Sequence, residues 1–340
     1  MSILTVTLNP AIDQTVTLDR LTPGAVHRAR DTRAHAGGKG INVASCLADW
    51  RAAHPVGEIA AYGFLGSDNA APFDTLFDAK SVADRMTHVG GATRTNLKLV
   101  DEAGTTDINL SGAAVTTEMA DALCEELATV SRAGDLVVLA GSVPPGCPPD
   151  IYATLTARLR ERGCTVLLDT SGVPLRLALD ADASPHAVKP NRDELAEWIG
   201  QPLGTTDELL DAAHRLHRRG VAWVVVSAGE DGALFVSREG ALTARLPVDT
   251  IASTVGAGDA MVAGIAAALI EEEPLERIAR LATAFAVGKL SREGPNLPPA
   301  AEIGTLAAKV EIRWLDKPET HGRRDNAARL ERTNGLGEAE

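Results

Sequence analysis

The hydrophobic pattern alternates between short apolar runs and longer segments with helical spacing. The short runs predict strands at residues 3–8, 59–65, 136–140, 166–169, 187–189 and 224–227. The longer segments predict helices at residues 117–130, 149–162, 207–219 and 275–290. Nearly continuous apolar strands that are separated by helices are typical of a parallel sheet covered on both faces. The pattern therefore predicts an α/β fold with a mostly parallel central sheet.

Two regions break this alternation. In them, apolar and polar residues alternate at every second position instead. Residues 14–34 and 95–110 show this pattern, and the second region has a turn at residues 102–104. We expect them to form a small, half-exposed antiparallel sheet. Such a sheet would act as a lid over the carboxyl ends of the parallel strands, where ligands of α/β proteins bind. Its exposed edge would also allow two protomers to pair as a homodimer.

Composition excludes several classes of partner. The chain has 340 residues, a formal net charge of −13 and only 3% aromatic residues. This acidic balance argues against a nucleic-acid or anionic-membrane surface, and the few aromatics argue against base stacking. The longest apolar run, residues 261–270, is too short to span a bilayer.

The cysteines and the chain ends suggest where the protein works. The spacing of Cys46, Cys124, Cys147 and Cys164 predicts neither a disulfide framework nor a zinc site. The first residues lack the features of a signal peptide, so we expect a cytoplasmic protein. After residue 315 the composition becomes charged and poor in apolar residues. This change predicts a disordered tail at residues 316–340.

A glycine-containing turn precedes the apolar segment at residues 260–270. Gly256 and Gly258 allow a tight turn, and the apolar segment predicts a buried helix. The amides of Gly256, Ala257 and Gly258 would then lie at a helix N-terminus, which favours a phosphate. Asp259 would face that anion, which suggests a general base that takes a proton from a hydroxyl during phosphoryl transfer. The alternative is a turn that only starts a helix.

A second glycine-rich segment, residues 36–44, leads into a helical pattern. Gly37 and Gly38 would let the backbone approach a ligand closely. Lys39 could neutralise a phosphate, and Asn42 offers both a donor and an acceptor to a sugar. The spacing is not that of a Walker A loop. A flexible linker is the alternative, although such linkers seldom run directly into a helix.

Three single residues are candidates for contacts with a substrate. Asp13, after the first strand, is either a turn residue or an acceptor for polyol hydroxyls. Arg94 is either a surface residue or a lid residue that reaches a substrate phosphate. Ser142 follows strand 136–140 in a loop fixed by two prolines, where it could meet the same phosphate.

Two further segments are candidates for nucleotide binding. Asn191 and Glu194 have the spacing of a helix capping box, or their oxygens bind a hydrated Mg²⁺ beside nucleotide phosphates. Ser227, Gly229 and Gly232 belong to a tight turn after strand 224–227. That turn lies either under a nucleotide or within a hairpin.

Together these segments closely resemble the ribokinase-like phosphofructokinase B family of carbohydrate kinases. The matching segments occur in the family's order within residues 1–315, at residues 7–13, 37–44, 141–146, 188–195 and 253–259. The resemblance implies a three-layer α/β/α ribokinase-like fold with a mostly parallel central sheet and a small β-sheet lid. The lid strands would come from about residues 14–34 and 91–112.

The resemblance also implies phosphoryl transfer from ATP, with Mg²⁺, to a hydroxyl of a sugar phosphate. Asp259 would be the base and Gly256, Ala257 and Gly258 the anion hole. The implied sugar-binding residues are Asp13, Gly37, Gly38, Lys39 and Asn42, with Arg94 and Ser142 at the existing phosphate. The implied nucleotide-binding residues are Lys189, Asn191, Glu194, Ser227, Gly229, Gly232 and Thr254. Asn191 and Glu194 would organise Mg²⁺ through water.

Within the family, residues 93–99 and 106–112 are most similar to those of 1-phosphofructokinases. That similarity implies D-fructose 1-phosphate as acceptor and fructose 1,6-bisphosphate as product, with tagatose 6-phosphate or fructose 6-phosphate as alternative acceptors. A sugar-phosphate sensor without catalysis is a further alternative, which an intact Asp259 disfavours. A dinucleotide oxidoreductase is disfavoured because no Gly-Xaa-Gly-Xaa-Xaa-Gly follows the first strand. Ser253 replaces an aspartate that often helps bind potassium in the family, so the resemblance leaves monovalent-cation activation open.

Overall fold

The computed structural model describes residues 1–54, 57–248, 256–292 and 294–317. The strands among these residues are β1 (Ile3–Thr7), β2 (Ala11–Thr17), β3 (Asp31–Gly37), β4 (Ile59–Gly66), β5 (Ala83–Val89), β6 (Arg94–Asp101), β7 (Gly104–Ile108), β8 (Leu136–Ala140), β9 (Thr165–Asp169), β10 (Ala187–Val188), β11 (Trp223–Ser227), β12 (Ala233–Ser237), β13 (Gly240–Arg245) and β14 (Glu311–Asp316). The helices are α1 (Lys39–Arg51), α2 (Ala71–Lys80), α3 (Thr117–Val130), α4 (Ile151–Glu161), α5 (Gly172–Asp180), α6 (Arg192–Ile199), α7 (Thr206–Arg218), α8 (Ala257–Ile270), α9 (Leu275–Leu290) and α10 (Ala300–Lys309). Short 3₁₀ turns lie at Ser67–Asn69 and Gly229–Asp231.

The central sheet has the strand order β14-β13-β12-β11-β10-β9-β8-β1-β4-β5. Neighbouring strands from β11 to β5 are parallel, and those from β11 to β14 are antiparallel. The parallel strands β1, β4 and β8 are buried along their whole length, as expected for strands covered on both faces. The predicted mostly parallel sheet is confirmed.

Helices cover both faces of this sheet. Alternate residues of each strand belong to two hydrophobic clusters: Val138 packs in one, and its neighbour Val137 packs in the other. The first cluster includes residues of α1, α8, α9 and α10, and the second includes residues of α3, α4, α5 and α7. These are the three layers of the predicted α/β/α fold. Among the described residues, no helix has both the length and the apolarity needed to cross a bilayer.

The lid is a separate four-stranded sheet in the order β3-β2-β6-β7. The β2–β3 and β6–β7 pairs are antiparallel, as the period of two suggested. The central pair, β2 and β6, is parallel, which differs from the wholly antiparallel lid that we expected. The reason lies in the body: β2 follows β1 and β6 follows β5, and β1 and β5 run in the same direction in the central sheet.

The end of the described chain belongs to the body. Strand β14 pairs with β13 at one edge of the central sheet, and it extends through Asp316. The sequence pattern did not predict this strand. Residues 318–340, most of the predicted disordered tail, lie outside the described residues. The division at residue 315 into a kinase domain and a tail stays a prediction.

Candidate active site

The N-terminus of α8 forms one wall of the site. Gly256 caps the helix with a φ of 79°, a left-handed conformation that favours glycine, and as a glycine it has no side chain that could bond to the helix amides. The amides of Ala257, Gly258 and Asp259 lie in the first turn, where a helix provides no acceptor for them. This end of the helix can therefore receive an anion. Thr254, another predicted site residue, lies outside the described residues.

Asp259 lies in that first turn and is only 8% exposed. Asn42, from α1, donates a hydrogen bond of 2.7 Å from Nδ2 to Asp259 Oδ2. The pKa of the Asp259 carboxyl is about 6, above its ordinary 3.8, because burial raises it most and the negative charge of Asp169 raises it as well. Lys39, the Asn42 hydrogen bond and Lys189 act in the opposite direction. The balance gives a carboxylate that is ionised at neutral pH and still accepts a proton readily.

A buried carboxylate holds two lysines near Asp259. Asp169, at the end of β9, is 1% exposed, and its two oxygens each lie 3.3 Å from an ammonium group, that of Lys39 and that of Lys189. Asp169 was not among the site residues predicted from the sequence. Its position at the carboxyl end of a parallel strand was the available signal, because ligands of α/β proteins bind at that edge.

The two lysines differ in their surroundings. Burial alone would lower the pKa of Lys39, but the negative charges of Asp169, Asp259 and Glu194 raise it above its usual range. The side chain of Lys39 is 36% exposed, whereas that of Lys189 is 6% exposed. A Cβ built at Gly258 would lie 3.7 Å from Lys189 Nζ, so this ammonium adjoins the first turn of α8. Two cations and a helix N-terminus thus converge on one point, which suits a phosphate.

A cleft of about 400 Å³ lies between the lid and the start of α8. Its lining combines lid residues with residues of the Asp259 group, including Asp13, His35, Asn42, Gly256 and Lys289. Asp13 lies on β2, beyond the first strand, and its Oδ1 accepts a hydrogen bond of 3.2 Å from Asn96 Nδ2 on β6. The structure therefore brings the predicted sugar residues Asp13 and Asn42 into one cleft with the predicted anion hole.

The glycines at the start of α1 pack closely against other segments of the chain. A Cβ built at Gly37 would lie 2.7 Å from Asp13 Oδ2, and one at Gly38 would lie 2.9 Å from Pro10 Cα. Gly40 lies even closer to β1, and a Cβ there would overlap Thr7 Oγ1. These contacts explain the glycines as close packing of α1 and β3 against neighbouring segments. Contacts from Gly37 and Gly38 to a sugar stay predictions.

Arg94 and Ser142 lie side by side where the lid joins the body. The Arg94 guanidinium donates to the carbonyl oxygens of Asn9 (3.0 Å), Pro10 (3.3 Å) and Leu110 (2.8 Å). It also lies 3.4 Å from Ser142 Oγ. Burial lowers the pKa of Arg94, and the charge of Asp13 raises it. Arg94 therefore fixes the lid to the body, and contact with a substrate phosphate stays a prediction.

Asn191 and Glu194 form a complete capping box at the start of α6. Asn191 Oδ1 accepts from the backbone N–H of Glu194, and Glu194 Oε2 accepts from that of Asn191, both at 2.8 Å. The capping alternative is thus confirmed. One carboxylate oxygen of Glu194 is not used in the box, and the charge of Glu194 acts on Lys39. Mg²⁺ usually binds one or two carboxylates and keeps several waters, so this residue fits a hydrated Mg²⁺ beside phosphates.

Ser227, Gly229 and Gly232 lie in the turn between β11 and β12. These strands are antiparallel, so the hairpin alternative is confirmed. Ser227 forms an isolated bridge with Asn191, which places the turn next to the start of α6. Among the described residues, no hydrogen bond or ion pair joins Ser142 or this turn directly to Asp259. The predicted residues therefore form neighbouring groups rather than one cluster, and nucleotide binding by the turn stays a prediction.

The cysteines and possible metal clusters add nothing to the site. Cys46, Cys124, Cys147 and Cys164 are buried free thiols. Within the described ranges, no group of three or more His, Cys, Asp and Glu side chains is arranged to hold a metal ion.

Comparison with known proteins agrees with this geometry. Residues 6–301 match the pfkB family of carbohydrate kinases. The chain is 53% identical over 313 residues to the 1-phosphofructokinase of Xanthomonas campestris pv. campestris, covering 90% of this chain and 97% of that protein. It is 44% identical over 318 residues to the 1-phosphofructokinase of Rhodobacter capsulatus, covering 93% and 98%.

Solved structures of phosphofructokinases have the same fold. The phosphofructokinase-2 from Escherichia coli, solved in complex with fructose-6-phosphate, has a TM-score of 0.81 and 28% identity, covering 90% of this chain and 98% of that one. The same enzyme has been solved in complex with potassium and as a tetrameric inhibited form. These findings show that the chain has a ribokinase-like fold and is a carbohydrate kinase. The chain belongs to the pfkB family of carbohydrate kinases.

Proposed function

We propose that this kinase transfers the γ-phosphoryl group of ATP to the 6-hydroxyl of D-fructose 1-phosphate. The products are fructose 1,6-bisphosphate and ADP. The observation that supports this chemistry best is the buried Asp259, with its raised pKa, in the first turn of α8. The names of the relatives in Xanthomonas and Rhodobacter support the choice of sugar phosphate.

Asp259 acts as the general base. As the 6-oxygen attacks the γ-phosphorus, its proton passes to a carboxylate oxygen of Asp259, and the bond from the γ-phosphorus to the bridging oxygen breaks, with its electron pair leaving on ADP. The hydrogen bond from Asn42 fixes the carboxylate in place. A pKa of about 6 keeps the base ionised at pH 7 to 8. The amides of Ala257 and Gly258 stabilise the charge that spreads over the phosphoryl oxygens.

Lys39 and Lys189 guide the phosphates of the donor. Their contacts with Asp169 hold both ammonium groups close to the α8 turn, so little reorganisation is needed when an anion arrives. Glu194 and Asn191 would hold Mg²⁺ through water. When bound, that ion neutralises phosphate charge.

The lid residues select and cover the sugar phosphate. Asp13 accepts hydrogen bonds from sugar hydroxyls inside the cleft, and Arg94 and Ser142 bind the existing phosphate where the lid meets the body. Arg94 suits this role because a guanidinium has five N–H donors, and three backbone carbonyls and Ser142 leave at least one of them available. Lid closure would exclude water, whose attack would hydrolyse ATP without transfer.

One edge of the lid is a candidate surface for assembly. Strand β7 is exposed along its length at one edge of the lid, which suits pairing of two protomers. The tetrameric form of the Escherichia coli relative makes a dimer only one of the possible assemblies.

The potassium complex of that relative is consistent with a monovalent cation here, but Ser253 lies outside the described residues. The cytoplasmic location stays a prediction.

The test is ADP release with Mg·ATP and three acceptors: fructose 1-phosphate, fructose 6-phosphate and tagatose 6-phosphate. We expect the highest kcat/KM for fructose 1-phosphate. Fructose 6-phosphate is the second candidate, because a solved relative binds it. A preference for either 6-phosphate would keep the kinase and refute the choice of sugar.

A variant of the proposed base separates catalysis from binding. Asp259→Asn should bind fructose 1-phosphate and ATP normally, because Asn can still accept the hydrogen bond from Asn42, and it should lose at least about 10²-fold in kcat. Near-normal turnover would remove Asp259 from the role of base. A folded wild-type protein that binds sugar phosphate without turning it over would favour the sensor.

A further inference from the structure

Lys289 is a buried cation beside the turn that starts α8, and the proposed mechanism does not use it. It is the next-to-last residue of α9 and is 3% exposed. A Cβ built at Gly256 would lie 3.4 Å from Lys289 Cε. Lys289, Gly256 and Asn42 also line the same cleft. This ammonium group therefore belongs to the surroundings of Asp259.

The packing of two helices brings Lys289 to this place. Helices α8 and α9 approach so closely that a Cβ at Gly264 would lie 2.7 Å from Ala282 Cα. From that contact, Gly256 is eight residues back along α8, and Lys289 is seven residues on along α9. At 1.5 Å per residue both distances are about 11 Å, so the start of α8 and the end of α9 lie at the same level. The position of Lys289 beside Gly256 thus follows from the core.

Capping of α9 is the simpler explanation for Lys289. Its Nζ donates a hydrogen bond of 3.0 Å to the carbonyl oxygen of Arg292, just beyond the helix, and lysines are common in the last turn. A lysine in the last turn of a helix need not be buried, however: Lys309, in the last turn of α10, is exposed.

The charge of Lys289 has few partners in its buried position. Across the described ranges, Arg292 O is the one acceptor bonded to its ammonium, and no carboxylate lies within 4.0 Å of it. An ammonium has three donors, and a buried cation is costly unless an anion lies directly against it. Burial lowers the pKa of Lys289, and the nearby Cys46 and Asp259 raise it. An anion in the cleft would supply a partner beyond those that the described residues provide.

We propose that Lys289 is a positioning residue for phosphoryl transfer, which supports the Gly256 turn and adds a fixed positive charge behind the anion-hole amides. The inference rests on the proposed function of that turn. Fixed charge that faces developing negative charge in a water-poor site lowers the barrier of the chemical step. Lys289 therefore acts on kcat more than on the affinity for either substrate.

The test compares Lys289→Met with Lys309→Met. Met keeps most of the length of the side chain and removes its charge, and Lys309 is the exposed lysine in the corresponding turn of α10. We expect kcat of Lys289→Met to fall about 10- to 100-fold, with both KM values within about threefold of wild type. Lys309→Met should match wild type. Thermal unfolding of each variant checks that it is folded.

Chemical rescue distinguishes charge from packing. In Lys289→Ala, n-propylammonium can occupy the vacated space, and it should restore kcat several-fold, while tetramethylammonium at the same ionic strength should not. A folded Lys289→Met with kcat within threefold of wild type would overturn the inference. Failure of rescue in folded Lys289→Ala, or failure of both variants to fold, would also overturn it, because the role would then be structural.

The result can be separated from that of the proposed function. An active Asp259→Asn would remove the proposed base and, with it, the basis for Lys289. An inactive Asp259→Asn together with a normal Lys289→Met would remove only the inference about Lys289.

Discussion

Replacement of Asp259 by Asn should stabilise the folded protein while it removes the base. A carboxylate buried to 8% exposure is less stable in its charged form than it is in water. The rise in its pKa from 3.8 to about 6 corresponds to about 3 kcal/mol at 25 °C. Asn keeps the size of the side chain and the hydrogen bond from Asn42. The free energy of unfolding should therefore increase by up to about 3 kcal/mol at pH 8.

The pH dependence of this gain follows from the sign of the shift. The folded state holds the Asp259 proton more tightly than the unfolded state, so the wild type loses stability as the pH rises from about 4 to about 6. Above that window the carboxyl is ionised in both states, and the full cost is present. Below it the carboxyl is protonated in both states, and the cost disappears. At pH 5 the gain from Asn should be about half of that at pH 8.

Urea unfolding of wild type and Asp259→Asn at pH 8 and pH 5 measures this difference. Asp121→Asn, an exposed carboxylate on α3, is the matched control and should change stability little at either pH. A variant that is no more stable than wild type at pH 8 would refute the reasoning. A gain that is equal at both pH values would also refute it, because packing rather than ionisation would then be responsible.

Three further outcomes test other parts of the site. In Asp169→Asn, loss of a negative charge that raises the pKa of Asp259 should move the acidic limb of the kcat/KM–pH profile to a lower pH than in wild type, for which the Asp259 pKa of about 6 predicts a limb near pH 6; a limb that moves upward would contradict the assigned electrostatics. Arg94→Lys cannot reproduce the contacts with three carbonyls, so KM for fructose 1-phosphate should rise about tenfold or more while KM for ATP changes less than threefold; equal effects would place Arg94 elsewhere. Gly40→Ala should lower the free energy of unfolding by about 1–3 kcal/mol because its Cβ overlaps Thr7, whereas Gly304→Ala, which meets no atom within 4 Å on α10, should raise it slightly; equal thermal shifts would refute the packing explanation.

The sequence predicted the body of the fold well because its strands are buried on both faces. Such strands appear as continuous apolar runs, and β1, β8 and β11 lie within a residue of their predicted bounds. Strand β14 was missed because its exposed residues, Glu311, Arg313 and Asp316, are charged and interrupt the apolar run that identifies a buried strand. The parallel pairing inside the lid was also outside the reach of the pattern. A period of two identifies a strand but not the direction of its neighbour.

The site divides in the same way between local and long-range information. Asp259 and Asn42 lie in segments whose glycines and helical patterns identify them locally. The hydrogen bond between them spans 217 positions, and no pattern predicts that distance. Lys289 had no local signal at all, since a lysine near a helix end is common. Its burial depends on how closely α8 and α9 pack, which only the three-dimensional structure shows.

The glycine-rich segment before α1 shows why a motif and a ligand contact are different claims. The motif predicts that Gly37 and Gly38 let the backbone approach a ligand closely. In the structure, the backbone of Pro10 excludes a Cβ at Gly38, and a Cβ at Gly37 would displace the carboxylate of Asp13. Gly38 is therefore needed whether or not a sugar binds, because it lets β3 and α1 reach the positions from which Lys39 and Asn42 enter the site, whereas Gly37 leaves room for the Asp13 carboxylate. The contribution of Gly38 to catalysis is the placement of the Lys39 and Asn42 side chains, and a direct contact with the sugar is a separate hypothesis that the motif alone does not support.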